Sequence, residues 1–214
     1  MRLSSRAVPE LVIMALLAPV FNIALADSTN NDMPVACQTG CSSPYGTVLG
    51  KSPRGIEAYS NCQSGCVIFE PNRWNGTYTG IKWQCVEYAR RWLLINTGTV
   101  YGDVDIAADI WDRIDHLTEV KTERQIPLEN HVNGSTQLPV AGDLLVYAKA
   151  FLGTGHVAVI TDVDIDNGLI EVGEQNFSNE SWPGDYARTI PFIRKDGDYW
   201  LLDRYLLGWK HAKR

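Results

Sequence analysis

The order of helical and strand patterns predicts an α+β fold, in which N-terminal helices pack on an antiparallel β-sheet. Two stretches with apolar residues at helical spacing, 83–95 and 107–117, precede five short stretches rich in β-branched residues. The 214 residues are 45% hydrophobic and 21% charged, which suits one packed domain after a leader is removed. The same composition excludes a disordered tail, a collagen-like repeat and a coiled coil.

Both predicted helices have one apolar face, as expected for helices that cover a sheet. In the first helix this face comprises Val86, Ala89 and Leu93, and in the second Ile110, Ile114 and Leu117. Another face of the first helix carries Glu87, Arg90 and Arg91. The sequence Asn-Thr-Gly at 96–98 is a helix stop signal.

The sheet is predicted from five short strands. They span residues 143–149, 156–163, 169–174, 189–193 and 199–205. The sequence Asp-Asn-Gly at 166–168 is a strong hairpin signal, because Asn-Gly readily adopts the positive φ angles of a tight turn.

Residues 1–26 have the features of a secretory signal peptide. Arg2 and Arg6 make its start positive, its centre is mostly apolar, and Ala24 and Ala26 occupy the positions that a signal peptidase reads. The alternative is an uncleaved membrane anchor, which the short length of the apolar run and the proline within it disfavour.

We therefore expect a secreted or periplasmic monomer that has no membrane span after cleavage. Residues 27–44 are predicted to be a loose N-terminal segment and residues 45–210 to form the domain. The leader contains two Arg and one Glu, so its removal changes the net charge from −6 to −7. Nucleic-acid binding is not expected, since it needs a basic surface.

Five cysteines follow the leader. Four of them form two Cys-x-x-x-Cys pairs: Cys37 with Cys41, and Cys62 with Cys66. In an oxidising compartment this pattern predicts two disulfides, for which three connectivities are possible. A four-cysteine zinc site is the alternative, although the spacing lacks the usual shape of a zinc knuckle.

Cys85 is the unpaired cysteine and the candidate nucleophile. It lies at the start of the first helix, where unpaired backbone N–H groups and the helix dipole lower the pKa of a thiol. The same N–H groups are suited to hold a developing oxyanion. A buried structural cysteine is the alternative interpretation.

A thiol nucleophile needs a base, and His156 is the favoured one of four histidines. His116 is in the predicted second helix, His131 in a polar loop and His211 in the basic tail. His156 follows a Gly-Thr-Gly sequence and begins an apolar strand, which would hold its ring in one orientation. An ordinary histidine at a strand edge is the alternative.

Glu174 is the candidate for orienting His156, but a simple hairpin separates the two. A two-residue turn at Asn-Gly would pair Glu174 with Thr161, five residues from His156 and too far for contact. A wider turn, or a bulge at Gly173, is therefore required. Asn176 is the alternative orienting residue.

Three segments of this sequence resemble the CHAP family. They are GIKWQCVEYARRWL at 80–93, GHVAVIT at 155–161 and Glu-Gln-Asn at 174–176. Within that family they look most like the amidase domain of glutathionylspermidine synthetase/amidase. Residues 55–60, 139–142 and 207–209 match that domain in the same order, so the resemblance extends over about 45–209.

The resemblance implies a papain-like fold of the NlpC/P60 type. It implies that Cys85 attacks an amide, that His156 is the base and that Glu174 orients it. Gln84 and the Cys85 N–H would lie near the oxyanion, and Arg90 would help to hold the substrate. Asn176 is the third predicted substrate-binding residue. The signal peptide, the four extra cysteines and the lack of room for a synthetase domain are departures from that relative.

These observations predict a secreted cysteine amidase or endopeptidase that acts through an acyl-enzyme on peptide bonds of peptidoglycan. The first alternative is an exported amidase for glutathionylspermidine, a conjugate of a thiol peptide and a polyamine. The second is an inactive CHAP module that binds cell wall. No metal or cofactor is expected.

Overall fold

Thirteen strands and two α-helices make up the part of the chain that the computed structural model describes, residues 33–213. The strands are β1 (Val48–Ser52), β2 (Ile56–Tyr59), β3 (Pro71–Trp74), β4 (Thr77–Ile81), β5 (Thr99–Tyr101), β6 (His116–Glu119), β7 (Gln125–Val132), β8 (Leu144–Tyr147), β9 (His156–Asp164), β10 (Leu169–Gly173), β11 (Arg188–Lys195), β12 (Asp198–Leu201) and β13 (Leu206–Ala212). The helices are α1 (Cys85–Thr97) and α2 (Ile110–Arg113). The predicted signal peptide lies outside the described residues. Within them, no helix is long and apolar enough to cross a membrane.

Nine strands form one sheet in the order β12-β11-β10-β9-β8-β13-β7-β6-β5, and every neighbouring pair is antiparallel. The prediction of an α+β fold with an antiparallel sheet is confirmed. The hairpins β1–β2 and β3–β4 lie outside this sheet. Four of the five predicted strands match β8 to β11 within a few residues, and the fifth covers β12 and the turn that follows it.

The centre of the sheet is buried on both faces, which explains the unbroken apolar runs of β8 and β9. Alternate residues of these strands enter two different cores. On one face, Leu144, Val146, Val157 and Val159 share a core with Tyr88, Ala89 and Leu93 of α1. On the other face, Leu145, Tyr147, Ala158 and Ile160 pack with residues of β10, β11, β12 and β13.

Helix α1 ends where the sequence predicts, at Gly98, whose φ of 72° is left-handed and whose N–H donates to the Leu94 carbonyl at 3.0 Å. Its charged residues Glu87, Arg90 and Arg91 are buried. The charged residues thus share one face of the helix, as the spacing predicts, but this face is buried rather than exposed to solvent. The surrounding chain supplies polar partners to that face, as described below.

The prediction of a second helix over 107–117 is wrong in extent. A 3₁₀ turn covers Ala107–Asp109, α2 covers only Ile110–Arg113, and the chain then leaves helical geometry at Ile114, with φ −104° and ψ 109°. Ile110, Ile114 and Leu117 are nevertheless all buried in the core beside α1. A short helix followed by a strand buries the same apolar residues as one long helix would. The spacing of these residues therefore could not distinguish one long helix from a helix followed by a strand.

Two disulfides join Cys37 to Cys66 and Cys41 to Cys62, which selects one of the three possible connectivities and excludes the zinc alternative for these four residues. They link residues 33–44, the described part of the predicted loose segment, to the loop between β2 and β3. Cys37, Cys62 and Cys66 form a small core of their own. The boundary predicted at residue 44 therefore falls inside the disulfide-linked region.

Candidate active site

Cys85 is the first residue of α1, and it is a buried residue that lines a cleft of about 590 Å³. Gln84 precedes it in extended geometry, so the chain turns into the helix at the cysteine. Burial by itself raises the pKa of the Cys85 thiol. The positive charge of His156, its hydrogen bond, and the N–H groups of Val157 and Val86 outweigh burial and lower that pKa below its usual value.

His156 is the first residue of β9 and is 1% exposed. Its Nε2–H donates to Glu174 Oε2 at 2.8 Å, which leaves Nδ1 to face Cys85. Burial lowers the pKa of His156, but the negative charges of Cys85 and Glu174 and hydrogen bonds to both raise it to about 9. The lowered pKa of the Cys85 thiol and the raised pKa of His156 both favour a thiolate beside an imidazolium.

Gly155 allows His156 to start the strand at this position. Its φ of 71° is left-handed, and a Cβ atom there would lie 2.5 Å from the carbonyl oxygen of Tyr147. The rings of Tyr147, Phe151 and Phe177 lie 5.3–6.0 Å from the imidazole, centroid to centroid. These contacts restrict the imidazole to one orientation.

The β9–β10 hairpin brings Glu174 to His156 through a wider turn and a β-bulge, the two features considered in the sequence analysis. The turn is wider than two residues, because Leu169 pairs with Asp164. The register then shifts by one residue at Thr161, between the pairs formed by Glu171 and Val172. The bulge lies on β9, so its predicted position at Gly173 is wrong.

Gly173 has a different structural role. A Cβ atom there would lie 2.7 Å from the hydroxyl oxygen of Tyr88. The glycine thus permits α1 to lie close against β10, the strand that ends beside Glu174.

Arg188 on β11 is a site residue that the sequence reasoning missed. Its Nε donates to Glu174 Oε1 at 2.7 Å, and its Nη1 donates to Asp203 Oδ2 at 2.7 Å. Tyr147 donates its hydroxyl hydrogen to the same Asp203 oxygen at 2.7 Å. Burial raises the pKa of Glu174, but hydrogen bonds and charges from His156 and Arg188 lower it below its usual value. Glu174 is thus ionised although it is 3% exposed.

Gln84 and Asn176 contact each other at the cleft. Asn176 Nδ2 donates to Gln84 Oε1 at 2.7 Å, and Gln84 Nε2 donates to the carbonyl of Cys66 at 3.2 Å. Both residues line the cleft. Asn176 makes no hydrogen bond to His156, so the orienting contact belongs to Glu174 rather than to the alternative.

Arg90 does not line the cleft and is 2% exposed. Its guanidinium donates to the carbonyls of Thr79 and Gly102 and to Asp103 Oδ1, at 3.3, 2.6 and 3.1 Å. The predicted contact with substrate is therefore not what the structure shows. Arg90 instead holds the segment after β5, which supplies part of the cleft wall.

A buried network fixes the start of α1 to the segment that carries Glu174. Glu87 accepts hydrogen bonds from Arg91 at 2.7 and 3.2 Å and from Gln175 at 3.1 Å. Gln175 also donates to the carbonyl of Gln84 at 3.2 Å. This network satisfies the charged face of the helix and ties the nucleophile to its acid–base partner.

The other three histidines lie elsewhere. His116 is on β6 beside Asp115, His131 stacks on Trp209, and His211 contacts Asp143. Among the described residues, His156 is the only histidine that lines the cleft.

A comparison with known protein families identifies the family to which the residues of this site belong. Residues 75–176, which include Cys85, His156, Glu174 and Asn176, match the CHAP domain family. The chain carries a CHAP domain. The resemblance recognised in the sequence is therefore confirmed.

The curated relatives that match this chain carry the names of synthetases, and one of these names includes an amidase. The chain is 35% identical over 189 residues to bifunctional glutathionylspermidine synthetase/amidase of Escherichia coli. This alignment covers 80% of this chain and 30% of that protein. It is 31% identical over 172 residues to trypanothione synthetase of Crithidia fasciculata, covering 80% of this chain and 26% of that protein. The chain thus spans about 30% or less of the length of these relatives.

Proposed function

We propose that this CHAP protein is a cysteine amidase that hydrolyses an amide bond through an acyl-enzyme on Cys85. The observation that carries the proposal is the line of contacts from the partly exposed Arg188 through the buried Glu174 and His156 to Cys85. A cysteine that only packs in a core needs no charged partner, whereas a thiol, an imidazole and a carboxylate in contact at a cleft, with shifted pKa values, are typical of a catalytic site. The same observations argue against an inactive binding module.

In the first step the Cys85 thiolate attacks the amide carbonyl carbon, and the carbonyl π electrons move to oxygen. We assign the N–H of Cys85 at the start of α1 and the side-chain amide of Gln84, which lines the cleft, as donors to that oxygen. The His156 imidazolium then donates its proton to the leaving nitrogen, and the C–N bond breaks.

In the second step water attacks the thioester. Neutral His156 removes the proton from water, and the carboxylic acid leaves as Cys85 regains its thiolate form. Glu174 stabilises the imidazolium each time it forms, and Arg188 keeps Glu174 ionised.

Peptide amides of bacterial cell wall are the first substrate class. The predicted signal peptide and the two disulfides support it, since disulfides persist in secreted and periplasmic proteins and a secreted amidase would meet cell wall rather than cytosolic metabolites. We propose secretion or a periplasmic location on the same grounds.

A conjugate of glutathione and a polyamine is the second substrate class. The names of the curated relatives favour it. Asp103 and Asp105 also line the cleft, where both are largely exposed, although Asp103 pairs with Arg90 and Asp105 with Arg113.

The proposal is tested with purified protein, peptidoglycan and glutathionylspermidine in separate incubations, with released amines quantified by derivatisation. We expect new amines from one substrate with wild type and none with Cys85→Ala at equal concentration and unchanged circular dichroism. Release of muropeptide amines would support the first class, and release of spermidine alone would support the second. Equal release by wild type and Cys85→Ala would refute the mechanism.

A further inference from the structure

The loop between β2 and β3, residues 60–70, forms part of the wall of the active-site cleft. Ser64, Gly65, Val67 and Phe69 line the same cleft as Cys85 and His156. The loop contains no helix or strand. Both of its cysteines are in disulfides to the segment at 37–41. These covalent bonds hold the loop in place, as hydrogen bonds of helices and strands do elsewhere in the protein.

This loop also contacts the side chain of Gln84 directly. The amide of Gln84 has two N–H groups and one oxygen. Its Nε2 donates to the carbonyl of Cys66 at 3.2 Å, while its Oε1 accepts from Asn176 at 2.7 Å. The two contacts fix which end of the amide carries the N–H groups, and Cys66 uses one of them. The second N–H remains for the cleft.

The Cys66 carbonyl is held by few other contacts. Asn61 Nδ2 donates to it at 3.1 Å, and the Cys66 side chain packs only within the small core of cysteines and their neighbours. The Cys66 N–H also donates to the Gln63 carbonyl at 2.9 Å, and the Cys37–Cys66 bond is the covalent link between this part of the loop and the segment at 37–41.

We propose that Cys66 is a positioning residue for catalysis: its carbonyl, held by the Cys37–Cys66 disulfide, orients the Gln84 amide so that one N–H is directed at the developing oxyanion. This inference rests on the proposed amidase function. It makes full activity depend on an oxidised disulfide while Cys85 stays a thiol.

The loop supplies nothing to the thiolate itself. The groups that act on Cys85 are His156 and the N–H groups of Val86 and Val157, all outside residues 60–70. Loss of the disulfide is therefore expected to lower kcat and to leave the reactivity of Cys85 with iodoacetamide unchanged. A purely structural role would lower both.

A double-mutant cycle tests the proposal. Gln84→Ala is expected to lower kcat about 100-fold, as for loss of one oxyanion donor. The pair Cys37→Ala and Cys66→Ala is expected to lower kcat about tenfold in the wild-type background and less than about twofold in the Gln84→Ala background, because a group that acts only through Gln84 has no effect once Gln84 is removed. The same fold loss in both backgrounds, or no loss in either, would overturn it.

The matched control is the pair Cys41→Ala and Cys62→Ala, which removes the other disulfide and leaves Cys66 bonded to Cys37. We expect its kcat to stay within about threefold of wild type. Each variant is assayed below its own midpoint of thermal unfolding, so that only folded protein is compared. A loss equal to that of the Cys37–Cys66 pair would show that stability of the loop, not the Cys66 carbonyl, is responsible.

A peptide aldehyde separates failure of this inference from failure of the amidase proposal. The Cys85 thiolate bonds to the aldehyde carbon, the carbonyl π electrons move to oxygen at the oxyanion position, and the His156 imidazolium supplies the proton that neutralises the adduct. The dissociation constant of this adduct can be measured whether or not the protein hydrolyses an amide. If no amide is hydrolysed, the proposed function fails. The same non-additive pattern in aldehyde affinity would still support the role of Cys66, and an additive pattern would refute it.

Discussion

Arg188 Nε lies 2.7 Å from Glu174 Oε1, while the other oxygen of the same carboxylate accepts from His156 at 2.8 Å. One carboxylate thus joins a guanidinium to the imidazolium that activates Cys85. His156 is on β9 and Arg188 on β11, and Glu174 directly follows β10, which lies between these two strands. The acid–base machinery is built on the sheet and the nucleophile on the helix.

Glu174→Gln is expected to shift the pH profile as well as the rate. The change removes a charge-assisted hydrogen bond worth about 1.5–3 kcal/mol, which corresponds to about 10- to 100-fold in kcat/KM. Because the carboxylate helps to raise the pKa of His156 to about 9, its loss lowers that pKa. The imidazolium is then lost at lower pH, so the alkaline limb of kcat/KM moves to lower pH. Glu171→Gln on the same strand is the control, and an unshifted limb would contradict this role of Glu174.

Arg188→Met is expected to destabilise the fold and to lower activity together. It leaves the buried Glu174 and the partly exposed Asp203 without their shared cation, and each lost hydrogen bond to a charged group costs about 1.5–3 kcal/mol. Urea denaturation should show this loss, with kcat reduced at pH 7. Arg194→Met, at an exposed position of the same strand, should change neither quantity. Wild-type stability and kcat in Arg188→Met would argue that the arginine has no supporting role.

Gly173→Ala is expected to lower the free energy of unfolding by about 1–3 kcal/mol through overpacking. The added methyl would lie 2.7 Å from the Tyr88 hydroxyl oxygen. Tyr88→Phe removes that oxygen and should restore most of the stability in the double variant. If the double variant is no more stable than Gly173→Ala, close approach to Tyr88 does not explain the glycine.

Glu87→Gln is expected to destabilise the protein by about 3 kcal/mol, because it leaves Arg91 buried without a counter-charge. Thermal unfolding monitored by circular dichroism measures the effect. The exposed Glu123→Gln serves as the control. A midpoint of unfolding unchanged from wild type would mean that the network does not hold α1 in place.

The sequence was sufficient for the local parts of the site. Cys85 at a helix start and His156 at a strand start each follow from neighbouring residues, and the structure brings these two together. The contact of Glu174 with His156 was harder to predict, since it depends on the width of one turn and on a bulge at Thr161. Neither feature has a signal in the alternation of apolar and polar residues.

Arg188 and Asp203 were missed because their roles arise from strand order. Arg188 lies on β11, which follows β10 through a loop without regular structure, and no local pattern shows which side chain it will meet. For Arg90 the sequence instead predicted a contact with substrate that the structure does not show. Helical spacing correctly places it one turn after Cys85, but its burial depends on how β4 and the segment after β5 fold back on the helix and present the carbonyls of Thr79 and Gly102.

The reactivity of Cys85 tests the central claim most directly, because it needs no knowledge of the substrate. Cys85 is the free cysteine among the described residues, so iodoacetamide reports on it alone. We predict that at pH 6 wild type is alkylated about tenfold or more faster than His156→Ala, since the imidazolium keeps the thiolate formed below the usual pKa of a thiol. Equal rates in the two proteins at pH 6 would contradict the account.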